Sequence, residues 1–228
     1  MKKSPTRTTE QRGDETREAL LAAATSAFAA SGFHAVSTRH IADSAKANLA
    51  LIRYHFGGKE GLYLAVFERI AGEIRQRIDP LAARIASALE STHGESRPEL
   101  LRKQLLPALF DLTDGLVASL MDESSGEWAQ LILREQQAPS AAFDLLYDGF
   151  MGRVTQQITA VISKFRSNED DKANRLLAIS IMGQMMILRN AHAGVLRHMG
   201  WTSMGAIEIR AAQQCLRANI TALLIGAR

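Results

Sequence analysis

Val36-Ser-Thr-Arg-His-Ile-Ala-Asp-Ser-Ala-Lys-Ala-Asn-Leu-Ala-Leu-Ile-Arg-Tyr-His-Phe-Gly-Gly-Lys-Glu-Gly-Leu62 reads as two short helices joined by a tight turn. Ser37 or Thr38 opens the first, because a hydroxyl there accepts from an amide that a helix start leaves unpaired. Ile41, Ala42 and Ala45 follow at helical spacing and form its inner side. Lys46, Ala47 and Asn48 reverse the chain, and Asn48 caps a second helix from Leu49 to Phe56. Ile52 and Phe56 stand four apart and share the side that faces a core. Leu49, Ala50, Arg53 and Tyr54 are left on the opposite side, with His55 at the boundary, before Gly57-Gly58 ends the helix.

That outward face has a chemistry. A guanidinium at Arg53 can fork onto guanine O6 and N7, while Leu49 and Ala50 can lie against thymine methyls. Thr38 and Arg39, at the start of the preceding helix, sit where a phosphate or flanking base is in reach, and Tyr54 and Lys59 suit phosphate oxygens. Two helices joined this closely describe a helix-turn-helix, whose second element enters the major groove of DNA. Periodicity alone would equally allow a helical hairpin inside an all-α core, with Tyr54 and Phe56 merely packing.

The residue pattern separates the two. Phe28 to Gly32, Ser37-Thr38-Arg39, Ile41-Ala42, Ala45, Tyr54-His55-Phe56 and Lys59-Glu60-Gly61-Leu62 together resemble the N-terminal domain of TetR-family transcriptional regulators, over residues 14 to 65. The resemblance implies a three-helix DNA-binding head with contacts from Thr38, Arg39, Asn48, Leu49, Ala50, Arg53, Tyr54, His55 and Lys59. The chain departs from that family in the turn, where Lys46-Ala47 stands in place of the usual Gly-Val. If the glycine normally takes a positive φ, Lys46 is strained there.

The chain has 228 residues and a formal net charge of +3, long enough for two domains. Residues 1–78 hold 12 Lys and Arg against 8 Asp and Glu, and the remainder 15 against 16, so the basicity lies in the part expected to meet DNA. The expected organisation is a flexible basic tail over 1–13 with Lys2, Lys3 and Arg7, a helix-turn-helix domain over 14–60, a connecting helix over 61–79, and a helical ligand-binding and dimerisation domain over 80–228. No stretch reads as a secretory signal or a membrane span, so a cytoplasmic protein without membrane partners is expected. The single cysteine, Cys215, has no internal partner for a disulfide and reads as a buried, inert small hydrophobe.

Helical periodicity covers the rest, and the fold class is all-α. A first helix over 15–31 ends near Gly32. Leu62, Val66, Ile70, Ile74 and Ile78 recur every four residues along the connecting helix, and Pro80 opens another. In the resembling family, tilt of the connecting helix changes the spacing between the two heads of a dimer. Further helices run over Glu99–Asp122 with Pro107 inside, Gly126–Gln137, Ala141–Phe165, Asp170–His198 and Ser203–Gly226.

Phe110, Trp128, Phe143, Tyr147, Phe150, Met182, Met185, Met186 and Met199 either line a pliable pocket for a small apolar effector or pack the core. Trp128 to Pro139 is similar to a segment of the CecR-like subgroup of the TetR family; its Arg134 and Glu135 are either paired with each other or hinge to a neighbouring helix, in preference to contacting a ligand. Ala178, Ile181, Met182, Met185 and Leu188 form one apolar stripe, and Ile209, Ala212, Leu216, Ile220 and Leu223 another. The two exceed what one thin layer can hide, which suggests a homodimer.

Enzyme chemistry finds little support. His192 and His198 are six apart and cannot share a helix face, no Cys-x-x-Cys occurs, and no Gly-rich phosphate loop follows a strand. The acids Glu169-Asp170-Asp171 read as favourable charge at the start of the next helix. Neither a metal nor a cofactor is expected. The sequence points to a homodimeric regulator that binds double-stranded DNA, a repressor released by a small apolar effector; the alternative is control by a protein partner.

Overall fold

The computed structural model describes residues 9–122 and 125–226, and among these every regular element is helical. In order they are α1 (Thr9–Ala35), α2 (Thr38–Ser44), α3 (Leu49–Phe56), α4 (Lys59–Ser91), α5 (Pro98–Met121), α6 (Gly126–Gln137), α7 (Ala141–Leu146), a π-helical turn (Tyr147–Met151), α8 (Gly152–Phe165), α9 (Asp171–Asn190), α10 (His192–Met199) and α11 (Ala206–Ile225). They form two compact units. One comprises the described residues up to Ala71 with Gln130–Leu146; the other comprises Gly72–Ala129, as far as described, with the described residues from Tyr147 on.

The first unit is built around α1, whose Leu20, Leu21, Ala24, Ala27 and Phe28 are buried. Ile41 and Ala42 of α2, Ile52 of α3 and Leu62, Val66, Phe67 and Ile70 of α4 complete the same apolar core. Glu10, Gln11 and Arg12 are good helix formers, and α1 already includes Thr9–Gly13, so helix begins within the stretch expected as a flexible tail. Lys2, Lys3 and Arg7 lie outside the described residues. Gly32 closes the regular part of α1 with φ 76° and ψ 168°, values an L side chain resists. Residues 130–146, which the sequence reading gives to the larger domain, belong to this unit and bury Leu131, Ala142 and Leu146 in it.

The turn between α2 and α3 carries the expected strain. Lys46 has φ 52° and is the one non-glycine with positive φ among the described residues. A left-handed conformation costs an L residue about 1–2 kcal/mol, part of which glycine returns through its freer unfolded chain. Lys46→Gly is therefore expected to raise stability by about 0.5–1 kcal/mol in urea denaturation. A neutral or negative change would show that the turn gains from the lysine side chain.

The second unit packs α5 (Leu101, Leu105, Leu109, Leu112, Leu116), α8 (Val154, Ile158, Val161, Ile162), α9 (Ala178, Ile181, Met185) and α11 (Leu216, Ile220, Leu224) into one core. Ile74, Ile78, Ala82 and Ile85 of α4 are buried as well. Pro80 lies inside α4, so the expected connecting helix and the helix expected to open at Pro80 are a single element. The lost hydrogen bond and ring clash cost about 3 kcal/mol or more. The apolar face runs unbroken from Ile74 through Ile85, and its burial offsets that cost. The helix expected over Ala141–Phe165 contains the π-helical turn, and that over Asp170–His198 breaks at Ala191, with φ −109° and ψ 29°.

Two expectations about this unit are revised. Of the stripes expected to meet a partner subunit, Ala178, Ile181, Met185, Leu216 and Ile220 are buried within the unit itself, while Met182, Leu188, Ile209, Ala212 and Leu223 are half-buried. The opposite side of α9 shows Leu176, Ile179 and Ile187 at 64%, 57% and 52% exposure, and on α11 Ile207 is 72% exposed. Cys215 is exposed, not buried, because Leu216 beside it takes the inward position.

Candidate nucleic-acid interface

Both helices of the turn motif start as their sequence dictates. Ser37 Oγ accepts from the His40 amide at 3.1 Å and Asn48 Oδ1 from the Ala50 amide at 2.9 Å. Gly57, with φ 76°, is the left-handed cap of α3, and its amide donates to the Arg53 carbonyl. The eight residues of α3 then divide by face. Ile52 is 2% exposed and anchors the helix, while Leu49 is 42% and Tyr54 80% exposed. Ala50 and Arg53 are exposed beside them, His55 is half-buried, and Tyr54 meets the His55 ring edge-on at 4.9 Å. Phe56, expected in the core, is half-buried with the Arg17 guanidinium 5.4 Å from its ring centroid.

At the start of α2, Arg39 is exposed and Thr38 half-buried. Asn48 is exposed, but its carbonyl oxygen is engaged in the cap. Lys59 is turned partly inward: its Nζ donates to the His34 carbonyl at 3.5 Å and lies 4.5 Å from the centroid of Phe33. One strong cation, Arg53, and one aromatic hydroxyl, Tyr54, thus stand free on the exposed face of α3, next to the small apolar Leu49 and Ala50. Such a surface can read base edges and hold phosphates.

The same unit holds a polar cluster between α1, α4 and α6 that the sequence does not resolve. Arg134 and Glu135 are not paired with each other. Glu135 is 3% exposed and accepts from the Tyr63 hydroxyl at 2.7 Å, the Ser140 amide at 2.8 Å and the Ser140 hydroxyl at 2.9 Å. Arg134 donates to the Ala29 carbonyl of α1 at 3.3 Å. Tyr63 is itself wrapped in rings, with Phe28 edge-on at 5.0 Å, Phe33 at 4.9 Å and Phe67 at 4.9 Å. Burial, then the hydrogen bond to Glu135 and its charge, push the Tyr63 hydroxyl above its ordinary range, against a smaller opposing effect of Arg134.

The raised value fixes a sign. A group whose proton is held more tightly in the folded state adds stability that is complete below the unfolded value, about pH 10 for tyrosine, and lost as pH climbs toward the folded value. Tyr63→Phe is expected to cost about 1.5 kcal/mol near neutrality, by removing a donor from a buried carboxylate. Its stability should also fall less steeply than that of the parent above about pH 10. Denaturation curves at neutral and alkaline pH check both; identical alkaline slopes would show that Tyr63 does not carry the linkage.

Of the aromatic and methionine residues singled out for a pocket, Phe143 lies half-buried in the first unit and the rest lie in the second. Phe110 has the Arg217 guanidinium 5.2 Å from its ring, where Arg217 also pairs with Asp114, and Trp128 has that of Arg77 at 5.6 Å. Met185 is 1% exposed, Met182 and Met186 are half-buried on α9, and Tyr147 and Phe150 sit in the π-helical turn.

A capped two-helix turn with one anchored and one exposed face, carried by an all-α protein of two units, defines a DNA-binding helix-turn-helix regulator. Residues 20–66 match the model of the bacterial regulatory proteins of the tetR family, and residues 107–227 match that of the C-terminal domain of the HTH-type transcriptional dual regulator CecR. The chain belongs to the TetR family, in the group that carries the CecR-type C-terminal domain, and it is a transcriptional regulator rather than an enzyme.

It is 26% identical to CecR of Shigella flexneri over 216 residues, which are 94% of each chain. It is 38% identical to the transcriptional repressor NicS of Pseudomonas putida over 66 residues, 29% of this chain and 31% of that one. Among solved structures, a TetR-like regulator from Rhodococcus sp. has a TM-score of 0.57 at 20% identity, covering 92% of this chain and 96% of the other. The fatty acid degradation regulator FadR from Bacillus halodurans has a TM-score of 0.57 at 16% identity, covering 100% and 99%. Both share the fold. No helix among the described residues is long and apolar enough to cross a membrane.

Proposed function

We propose that the protein is a cytoplasmic, homodimeric repressor that holds palindromic operator DNA through two copies of α3 and releases it when a small apolar effector binds its larger unit. The observation that carries the DNA reading is the split of α3, in which Ile52 is anchored while Leu49, Ala50, Arg53 and Tyr54 are left to solvent. Thr38 and Arg39 of α2 extend that surface toward the phosphates, with the half-buried His55 at its edge. Asn48 presents the first turn of α3, and Lys59 adds a cation at the start of α4.

The exposed apolar side of α9 and α11 supports pairing. Leu176, Ile179, Gly183 and Ile187 recur at three- and four-residue intervals on α9, and Ile207, Ala211, Cys215, Ala218 and Ala222 do so on α11, all of them exposed. Asn219 donates to Gln184 at 2.9 Å and holds the two helices side by side. A second copy laid on this face by a two-fold axis closes a four-helix arrangement, and two heads then meet half-sites separated by a helical turn or a multiple of it.

Release is a shift of populations. An effector frees the DNA only to the extent that it prefers the dimer geometry that misfits the operator, and a hundredfold loss needs about 2.7 kcal/mol of such preference. Repression is the sign proposed; of the relatives above, NicS is a repressor and CecR a dual regulator. Selection of bound fragments from the source genome, followed by footprinting, tests the reading. A protected palindrome upstream of a gene is the expected result, and absence of protection on every selected fragment would overturn it.

A further inference from the structure

The first unit contains a half-open cavity of about 710 Å³, within the size range of small-molecule sites. Its walls come from the end of α1, the start of α4, the end of α6 and the start of α7, so it lies in the DNA-binding unit and is separate from the pocket candidates of the larger one. Phe33, Tyr63 and Leu64 supply an apolar wall, and Arg134 and Glu135 supply charge.

The two charges differ in what they have left to give. Both Glu135 oxygens are engaged, Oε1 by the Tyr63 hydroxyl and Oε2 by Ser140. Arg134 is exposed, and a single hydrogen bond of 3.3 Å to the Ala29 carbonyl accounts for one of its five donors. Gly32 leaves room for the guanidinium: a Cβ there would stand 3.3 Å from Arg134 Nη1, and φ 76° already excludes most side chains. Glu60, also at the rim, is exposed and sits in the first turn of α4, where the free amides favour its charge. Lys59, 4.5 Å from the Phe33 centroid, adds a second cation beside the wall.

We infer that this cavity binds a small organic acid, its carboxylate forked on Arg134 and its apolar body lying along Phe33, Tyr63 and Leu64. A planar guanidinium with unspent parallel donors matches a carboxylate in two hydrogen bonds, which a neutral ligand cannot reproduce.

The test uses the full-length protein without DNA and the probes phenylacetate, hexanoate and octanoate, each beside its primary amide, at millimolar concentration. Amide resonances of Gly32, Phe33 and Ala141 should shift with at least one acid and move little with its amide. Arg134→Gln should weaken that acid by about tenfold or more, the factor expected from a lost charge-assisted pair, while Arg134→Lys keeps part of the affinity. Ala138→Phe fills the cavity, leaves the guanidinium in place and should abolish binding, which keeps the test open if Arg134→Gln does not fold. Equal binding of acid and amide, no shift with any acid, or an affinity indifferent to both variants would overturn the inference. Because no DNA is present, failure here leaves the operator reading untouched, and failure of operator binding leaves this site untouched.

Discussion

Glutamate at Ile179 and Ile187 together should convert the protein to a folded monomer and lower its affinity for a palindromic operator by about a hundredfold or more. At 57% and 52% exposure neither side chain contributes much to the core of its own subunit, so Ile179→Glu and Ile187→Glu leave the fold intact. In the dimer they would place four like charges in one apolar seam, where their mutual repulsion and loss of hydration oppose pairing. A monomer carries one head. It loses the gain that a tethered second head obtains from its high effective concentration at the other half-site. Met185→Glu is the instructive control, because that residue is 1% exposed on the opposite side of the same helix and a charge there should unfold the unit. Sedimentation, circular dichroism and gel shift read the three quantities separately. A dimer that persists in the doubly substituted protein would place the pairing surface elsewhere.

The inward and outward sides of α9 could not be told apart by periodicity, and the reason is physical. Leu176, Ile179 and Ile187 make one apolar stripe and Ala178, Ile181 and Met185 another, so the helix is apolar nearly all round. Spacing reveals that two surfaces must be covered, but not which is covered by the same chain. Cys215 differs from its expected burial for the same reason, being one step around α11 from the buried Leu216. The turn motif posed no such problem. Ser37, Asn48, Ile52 and Gly57 act within a few residues of themselves, through caps and helix faces, and local chemistry of that kind is written in the sequence.

Nonlocal contacts were not. Glu135 meets Tyr63 from 72 positions away, and no periodic pattern marks a carboxylate that will be buried with a phenol. Trp128 to Pro139 reads as one amphipathic helix, whereas its residues from Gln130 onward pack in the head unit. Pro80 misled in the opposite direction. A helix breaker was outweighed by an apolar face from Ile74 to Ile85 that only tertiary burial makes decisive.

Arg53→Ala is expected to cost about 2 kcal/mol of operator affinity and to relax the preference at one base position, the effect of losing a bidentate contact to a guanine edge. Arg53 lies in the last turn of α3, where its charge favours the helix end, so stability should fall by only a few tenths of a kcal/mol. Lys59→Ala should behave differently. Lys59 is half-buried as a residue, and its amine gives one donor to the His34 carbonyl, which leaves two for a phosphate at the start of α4. All duplexes should then be weakened alike, and the slope of log affinity against log salt should flatten by about one. Binding titrations at several salt concentrations, on the operator and on single-base variants of it, distinguish the two. An unchanged salt slope for Lys59→Ala with a lowered melting temperature would assign the lysine to the fold, as a tie between α4 and the end of α1. An Arg53→Ala protein that keeps full base preference would move recognition off this face of α3, because no other cation stands free on it.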